Sequence, residues 1–114
     1  MTDLSPRHQS LAVGRWQIMT LVEQLGNVST EVGRALRAKT RGNDNRMWSA
    51  LEGALELIDL TVADPRLAGG RRREVLRARE VVCDFLVGDN DYGSTADSLD
   101  RYSLAYATAA RAHR

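Results

Sequence analysis

The amino-acid sequence predicts an all-α fold, an antiparallel four-helix bundle with up-down-up-down topology. Apolar residues recur at spacings of three and four along most of the chain, which is the period of one helical face. Leu, Ala, Val, Arg and Glu are common, and only two prolines occur in 114 residues, a composition that favours helix. Four such stretches are joined by short loops, and short loops make neighbouring helices antiparallel.

One domain is expected, because 114 residues can bury a single modest core. Residues 1–18 are predicted to be an N-terminal tail or a short helical segment, and residues 19–114 to be the bundle. The first helix begins at a capping box, in which Thr20 and Glu23 satisfy free amides reciprocally. Its apolar face is formed by Leu21, Leu25, Val28, Val32 and Leu36.

Two glycines, Gly26 and Gly33, lie in the interior of this first helix, and Gly42 ends it. Interior glycines weaken a helix, so we expect them to let another backbone come close. Asn43 or Asp44 caps the second helix, which stops before Pro65 because the residue preceding proline avoids helical angles. Its main apolar stripe consists of Met47, Leu51, Ala54, Leu55, Ile58 and Val62.

Three further apolar residues of the second helix, Trp48, Leu57 and Leu60, do not share one stripe with the rest. Exposed together, they would form a larger apolar patch than a monomer normally leaves open. The sequence therefore predicts an oligomer interface at these three residues, in a protein that is at least a dimer.

The third helix is predicted over 71–87, after a flexible joint at Gly69 and Gly70, and Gly88 stops it. Its inner face carries Val75, Ala78, Val82, Phe85 and Leu86. Ser94 is predicted to cap the fourth helix, with Asp97 three residues later. The apolar face of that helix carries Leu99, Tyr102, Tyr106, Ala109 and Ala110.

Positive charge is concentrated although the net charge is only +1. Six arginines fall within residues 66–79, and the bundle topology brings them to one end with the N-terminal segment and the C-terminus. We call this set the arginine-rich pole: Arg66, Arg71, Arg72, Arg73, Arg77, Arg79, Arg111 and Arg114. Guanidinium groups suit phosphates, so the pole predicts salt-sensitive binding of RNA or DNA. No aromatic residue is interleaved within 66–79, which counts against base stacking.

Two other interpretations of the arginines stay open. They could form a solvated surface in a protein whose arginine excess reflects codon usage, or they could dock an acidic protein. At the opposite end, Arg34, Arg37, Lys39, Arg41 and Arg46 are expected to be neutralised by acids of the later loop. Those acids are Asp84, Asp89, Asp91, Asp97 and Asp100.

The sequence argues against most enzyme classes. The only histidines, His8 and His113, lie near the ends of the chain, and no nucleophile–base set can be assembled. The acidic loop 89–93 has the wrong spacing for calcium. A helical ribonuclease of the HEPN class is a third alternative, disfavoured because its arginine–histidine signature is missing. No catalytic residue, metal or cofactor is predicted.

Cellular location is predicted from three observations. The single cysteine, Cys83, rules out an internal disulfide and fits a reducing compartment. No apolar run approaches the length of a membrane helix, and residues 1–10 do not read as a secretory signal. A cytoplasmic protein without membrane contact is expected.

Three segments carry a resemblance: LVEQLGNVSTEVGRAL (21–36), ALELIDLTVADPR (54–66) and REVVCDFLVGDNDYGS (79–94). They resemble a family of small uncharacterised bacterial all-helical proteins, over about residues 20–114. The resemblance implies a bacterial helical domain and transfers no functional residue. In architecture the chain is similar to the four-helix proteins of ribosomal intervening sequences and to the accessory proteins of diversity-generating retroelements. That similarity implies a ring-like oligomer with a basic surface for nucleic acid or a reverse transcriptase.

Together these observations predict a non-catalytic, oligomeric accessory protein that binds RNA or DNA through the arginine-rich pole. The alternative is a protein-interaction module that does not bind nucleic acid.

Overall fold

The computed structural model describes residues 16–99, and 77% of that part is helical, with no strand in it. The predicted all-α class is therefore confirmed. The helices are α1 (Trp16–Ile18), α2 (Leu21–Thr40), α3 (Asp44–Val62) and α4 (Gly69–Val87). A further helical turn covers 96–99. The rest of the predicted fourth helix, with Arg111 and Arg114, lies outside the described residues, as do His8 and His113.

The turn between α2 and α3 is only three residues long and is fully hydrogen-bonded. The amides of Gly42 and Asn43 donate to the carbonyl oxygens of Lys39 and Ala38, at 3.0 and 2.9 Å, which is the Schellman pattern. Gly42 has φ +71°, a left-handed conformation that glycine adopts without strain. Asn43 then caps α3, because its side-chain oxygen accepts from the Arg46 amide at 3.1 Å. The predicted stop and the predicted cap are both confirmed.

The start of α2 is also as predicted. Thr20 Oγ1 accepts from the Glu23 amide at 3.1 Å, and Glu23 Oε1 accepts from the Thr20 amide at 2.9 Å. Both hydrogen bonds of the capping box are thus present. Leu25, Val32 and Leu36 are buried along the predicted face.

Two groups of core residues show how the long helices run. One group joins Leu36, Met47 and Leu86, and the other joins Leu25, Ile58 and Val75. The end of α2 therefore meets the start of α3 and the end of α4, whereas the start of α2 meets the end of α3 and the start of α4. The three helices run up, down and up, with α2 packed chiefly on α3.

The N-terminal end of α4 differs from the prediction, whereas its C-terminal end agrees with it. The helix begins at Gly69, so the two glycines belong to its first turn rather than to a hinge. Its stop at Gly88 is confirmed, and the reason is steric. A Cβ at Gly88 would lie 3.0 Å from the Asp84 carbonyl oxygen, so a larger residue would require the backbone to move by a few tenths of an ångström.

The loop after α4 is held by its own polar groups. Both carboxylate oxygens of Asp84 accept from backbone amides, those of Asp91 at 2.8 Å and Tyr92 at 3.1 Å. The cap of the next helical turn is Thr95 rather than the predicted Ser94, since Thr95 and Ser98 exchange side-chain-to-amide hydrogen bonds of 3.0 Å. The side chain of Asn90 already holds the amide and the carbonyl of Ser94, at 2.9 and 3.0 Å.

Within 16–99, no neighbouring backbone is among the atoms nearest to the interior glycines of α2, although the sequence predicted a close approach there. Within the described chain, nothing lies within 4 Å of a Cβ built on Gly26, and a Cβ on Gly33 would meet only the Arg37 side chain. Gly26 therefore lowers the intrinsic stability of the helix, and no described residue packs closely against it to compensate.

We expect Gly26→Ala to raise the free energy of unfolding by about 0.5–1 kcal/mol, because it removes backbone freedom from the unfolded chain. Gly42→Ala should lower it by about 1–2 kcal/mol, because alanine is strained at positive φ. Urea denaturation followed by circular dichroism measures both. Equal effects of the two substitutions would contradict the assigned turn.

Candidate phosphate-binding surfaces

Arg66 is part of the scaffold rather than an open contact residue. Its Nε and Nη2 donate to the Asp64 carboxylate at 3.0 and 2.6 Å, and its backbone amide donates to the same carboxylate at 2.9 Å. Nη2 also donates to the Met19 carbonyl oxygen at 2.7 Å. The guanidinium therefore ties the α3–α4 loop to the segment that precedes α2.

Asp64 is the centre of this polar cluster. Its side chain is only 8% exposed, and its Oδ2 also accepts from Gln24 Nε2 at 3.0 Å. Gln24 Nε2 in turn donates to the carbonyl oxygen of the buried Trp16 at 3.0 Å. The hydrogen bonds from Arg66 and then from Gln24 outweigh burial and hold the pKa of the Asp64 carboxyl well below its usual range.

Arg79 is also paired, but at the surface. Its Nε lies 3.3 Å from Asp59 Oδ1, and both side chains are exposed to solvent. Such a pair contributes little to stability because solvent screens it. It does reduce the charge that Arg79 presents on the α3 side of α4.

Arg72 lies in the first turn of α4 and Arg73 directly follows it, and both are exposed. That turn contains no acid, and Ala68 provides no side-chain cap to its free amides. Cations near a helix N-terminus oppose the helix dipole, so the arrangement is unfavourable until an anion approaches. Neither side chain forms an ion pair with a residue in 16–99.

Arg77 lies on the outward face of α4, one turn beyond Arg73, and it meets an aromatic ring. Its guanidinium carbon lies 5.3 Å from the centre of the Tyr92 ring, and Tyr92 is 50% exposed. Tyr92 Oη also donates to Glu80 at 3.4 Å. The fold thus places an exposed aromatic beside the arginines, although none occurs within 66–79. Sequence reasoning missed it because the two segments are distant along the chain.

A second basic surface lies at the other end of the molecule, where α2 meets α3. We call it the hairpin cleft, a depression of about 560 Å³. Its lining residues are Glu31, Arg34, Arg37, Ala38, Arg41, Asn43, Arg46, Ser49 and Ala50. Arg34 pairs with Glu31 at 2.7 Å. Arg37, Arg41 and Arg46 make no ion pair with any residue in 16–99.

Among the residues that the structure describes, the acids predicted to neutralise this end form no ion pair with its arginines. Asp84 uses both oxygens on the loop amides, and Lys39 donates to the Leu86 carbonyl oxygen at 3.3 Å rather than to an acid. Asp97 lines a smaller cavity of about 280 Å³ with Arg37 and Arg41, without an ion pair. Arg37, Arg41 and Arg46 are exposed at this end of the molecule, and the exposed arginines of α4 lie towards the other.

The acids and the single described cysteine within 16–99 were candidates for a metal site. No three His, Cys, Asp or Glu side chains there come together to hold a metal ion. Burial raises the pKa of the half-buried Cys83 thiol, which disfavours the reactive thiolate. None of the described helices is long and apolar enough to cross a membrane.

The predicted oligomer patch does not exist as one surface. Leu57 is 2% exposed within a single copy, Leu60 is half-buried, and Trp48 is 49% exposed. Helical geometry puts Trp48 on the side of α3 that carries Glu52 and Asp59, whereas Leu57 points the opposite way. Self-association stays a prediction, which light scattering at micromolar concentration tests. A monomer mass would contradict it.

In comparisons with known proteins, no family model, curated protein or solved structure matches this chain. Inference about function therefore depends on the two arginine surfaces.

The first prediction from this geometry concerns Asp64. Its folded pKa is depressed, so its contribution is fully present above about pH 4, the unfolded value, and is lost as the pH falls below that. We expect Asp64→Asn to lower the free energy of unfolding by about 1–3 kcal/mol at pH 7, since charged hydrogen bonds are lost. The difference from wild type should shrink towards pH 2. Urea denaturation at several pH values measures it.

Asp59→Asn is the matched control, because it removes an exposed carboxylate that also pairs with an arginine. A change below about 0.5 kcal/mol is expected. If both variants lost the same free energy of unfolding, burial of the Asp64 cluster would not contribute to stability.

Proposed function

We propose that this protein is a non-catalytic accessory protein that binds RNA or DNA through the exposed part of the arginine-rich pole. The bundle would be completed by the helix that starts at 96, in the predicted antiparallel four-helix arrangement. Arg72, Arg73 and Arg77 are the main phosphate contacts in this proposal. Arg71 and Arg79 are secondary contacts, and Arg66 acts through its structural role.

The observation that carries the proposal is the contact between Arg77 and the half-exposed Tyr92. A row of arginines alone attracts any polyanion. An aromatic ring beside that row adds a surface on which a base can stack, and stacking contributes about 1–3 kcal/mol per base. The combination favours single-stranded nucleic acid over a duplex, because only unpaired bases reach the ring.

The chemistry of the α4 start supports phosphate as the partner group. Arg72 and Arg73 flank a helix N-terminus without an acid or a side-chain cap, where backbone amides and the helix dipole also attract anions. Duplex and single strands both present phosphates there. Affinity should fall with salt as counterions are released.

We expect labelled single-stranded RNA and DNA to bind, with affinity falling tenfold or more between about 50 and 200 mM salt. The triple variant Arg72→Gln, Arg73→Gln, Arg77→Gln should abolish binding, since glutamine keeps helix propensity and removes the charge. Fluorescence anisotropy with matched duplexes measures the affinities. Tyr92→Leu should weaken single-strand binding about tenfold and leave duplex binding unchanged.

The control is the triple variant Arg37→Gln, Arg41→Gln, Arg46→Gln, which removes the same number of positive charges at the hairpin cleft. It should keep most of the nucleic-acid affinity. If both triple variants lost the same nucleic-acid affinity, binding would depend on net charge and not on the α4 surface. If the wild type binds no oligonucleotide at low salt, the proposal fails, and the protein-interaction alternative with an acidic partner takes its place.

A further inference from the structure

The hairpin cleft is formed where the C-terminal end of α2 faces the N-terminal end of α3. The three-residue turn brings Arg37 and Arg41 of one helix end beside Arg46 of the other. Ala38 and Ala50 are the only apolar lining residues, and their small side chains leave the space open. The depression is therefore a product of the tight turn and two alanines between long arginines.

Charge in the cleft is unbalanced. Four arginines against one glutamate leave an excess of three positive charges within about 560 Å³. The only ion pair in the cleft among the described residues joins Arg34 to Glu31. Like charges that line one depression repel one another, and a compact anion that contacts several of these guanidinium groups would offset that repulsion.

The remaining lining groups favour a small polar ligand. Asn43 and Ser49 add neutral hydrogen-bonding groups, and the amide nitrogen of Asn43 is a donor, since its oxygen accepts from Arg46. No aromatic or branched apolar side chain lines the cleft, so a ligand with a large apolar body would gain little there. The lining therefore favours a short chain of phosphoryl groups, which presents several negative charges in a small volume and fits the guanidinium fork.

One backbone feature gives Arg37 its place. A Cβ on the buried Gly33 would lie 3.1 Å from Arg37 Nη1, which is closer than carbon and nitrogen normally come. The absence of a side chain at Gly33 therefore gives the Arg37 guanidinium room against α2. Among the described residues, the three atoms nearest to that Cβ all belong to the Arg37 side chain.

We propose that the hairpin cleft binds a compact polyphosphate, free or carried by a nucleotide, through Arg37, Arg41 and Arg46. The site is separate from the nucleic-acid surface on α4, and neither proposal requires the other. It would make the protein responsive to a small phosphorylated molecule as well as to a nucleic acid.

Inorganic tripolyphosphate is the probe that tests this site on the full chain. We expect it to bind by calorimetry and to raise Tm by about 5 °C when saturating. The cleft variant Arg37→Gln, Arg41→Gln, Arg46→Gln should lose at least tenfold in affinity. The α4 variant Arg72→Gln, Arg73→Gln, Arg77→Gln removes equal charge and should bind tripolyphosphate like the wild type. Adenosine and guanosine triphosphates show in parallel whether a nucleotide carries the group.

Several outcomes would overturn the proposal. One is that sulfate at the same ionic strength raises Tm equally. Another is that the α4 variant loses tripolyphosphate binding as much as the cleft variant. Mapping in the wild type by amide chemical shifts needs no variant to fold, and the shifts should appear at 34–50, along both walls of the cleft. Shifts confined to 69–77 would refute the site. If tripolyphosphate does not bind but RNA does, the cleft proposal fails and the proposed function stands. If tripolyphosphate binds but no nucleic acid does, the proposed function fails and the cleft proposal stands.

A matched pair of glycine variants tests the role of Gly33. Gly33→Ala should weaken tripolyphosphate binding several-fold, because the new methyl group displaces Arg37. Gly26→Ala changes the same helix without touching the cleft and should bind normally. The enthalpy and stoichiometry from calorimetry distinguish a displaced arginine from a misfolded chain. Equal affinities in both variants would remove Gly33 from the site.

Discussion

The three residues Arg41, Gly42 and Asn43 are the constraint on which the rest of the structure depends. Gly42 closes α2 in a left-handed conformation, and Asn43 completes that closure with its amide while capping α3 with its side chain. Only these three residues separate α2 from α3. The turn therefore fixes both the direction of α3 and its register against α2. The core that joins Leu36 to Met47, and the cleft on the outer side of the turn, both follow from this register.

The opposite end of the molecule is held by polar groups instead. The Asp64 carboxylate accepts hydrogen bonds from Arg66 and Gln24. Gln24 also donates to the Trp16 carbonyl oxygen, which links the segment that begins at Trp16 to this cluster. Leu67 and Val75 close the apolar side of the same end. A carboxylate with four such hydrogen bonds is satisfied despite its burial, which is the condition for burying a charge without a large loss of stability. Arg66 stays partly exposed, but its charge is balanced by the Asp64 carboxylate.

The described structure separates its arginines by what surrounds them. Arg34, Arg66 and Arg79 are paired with acids. Arg73 and Arg77 stand on the outward face of α4, whereas Arg37, Arg41 and Arg46 surround the cleft. These last two groups lie near opposite ends of helices of 19 and 20 residues, roughly 20 Å apart along the axis. That separation exceeds the Debye length of about 8–10 Å, so each surface acts on its own anion. Net charge of +1 is a poor guide to such a molecule.

How much could be predicted from the sequence depends on how local each feature is. The capping box of Thr20 and Glu23 and a cap at Asn43 or Asp44 were predicted, because capping is decided by side chains within three residues. The buried faces of α2 and α3 were predicted for the same reason, since helical periodicity repeats over a few turns. The orientation of Leu57, the use of Thr95 as a cap, and the place of Gly69 inside α4 were missed. Each of these depends on neighbours that periodicity does not reveal.

The sequence by itself determined the helices, their order and the concentration of arginine in 66–79. Only the tertiary structure decided which arginines stay available, because a guanidinium finds its partner in space and not along the chain. Asp64 takes Arg66, Tyr92 comes to Arg77, and the α2–α3 turn collects Arg37, Arg41 and Arg46 around one depression. Charge and composition act locally along a helix, whereas a binding surface is defined by the packing of helices that are distant in sequence.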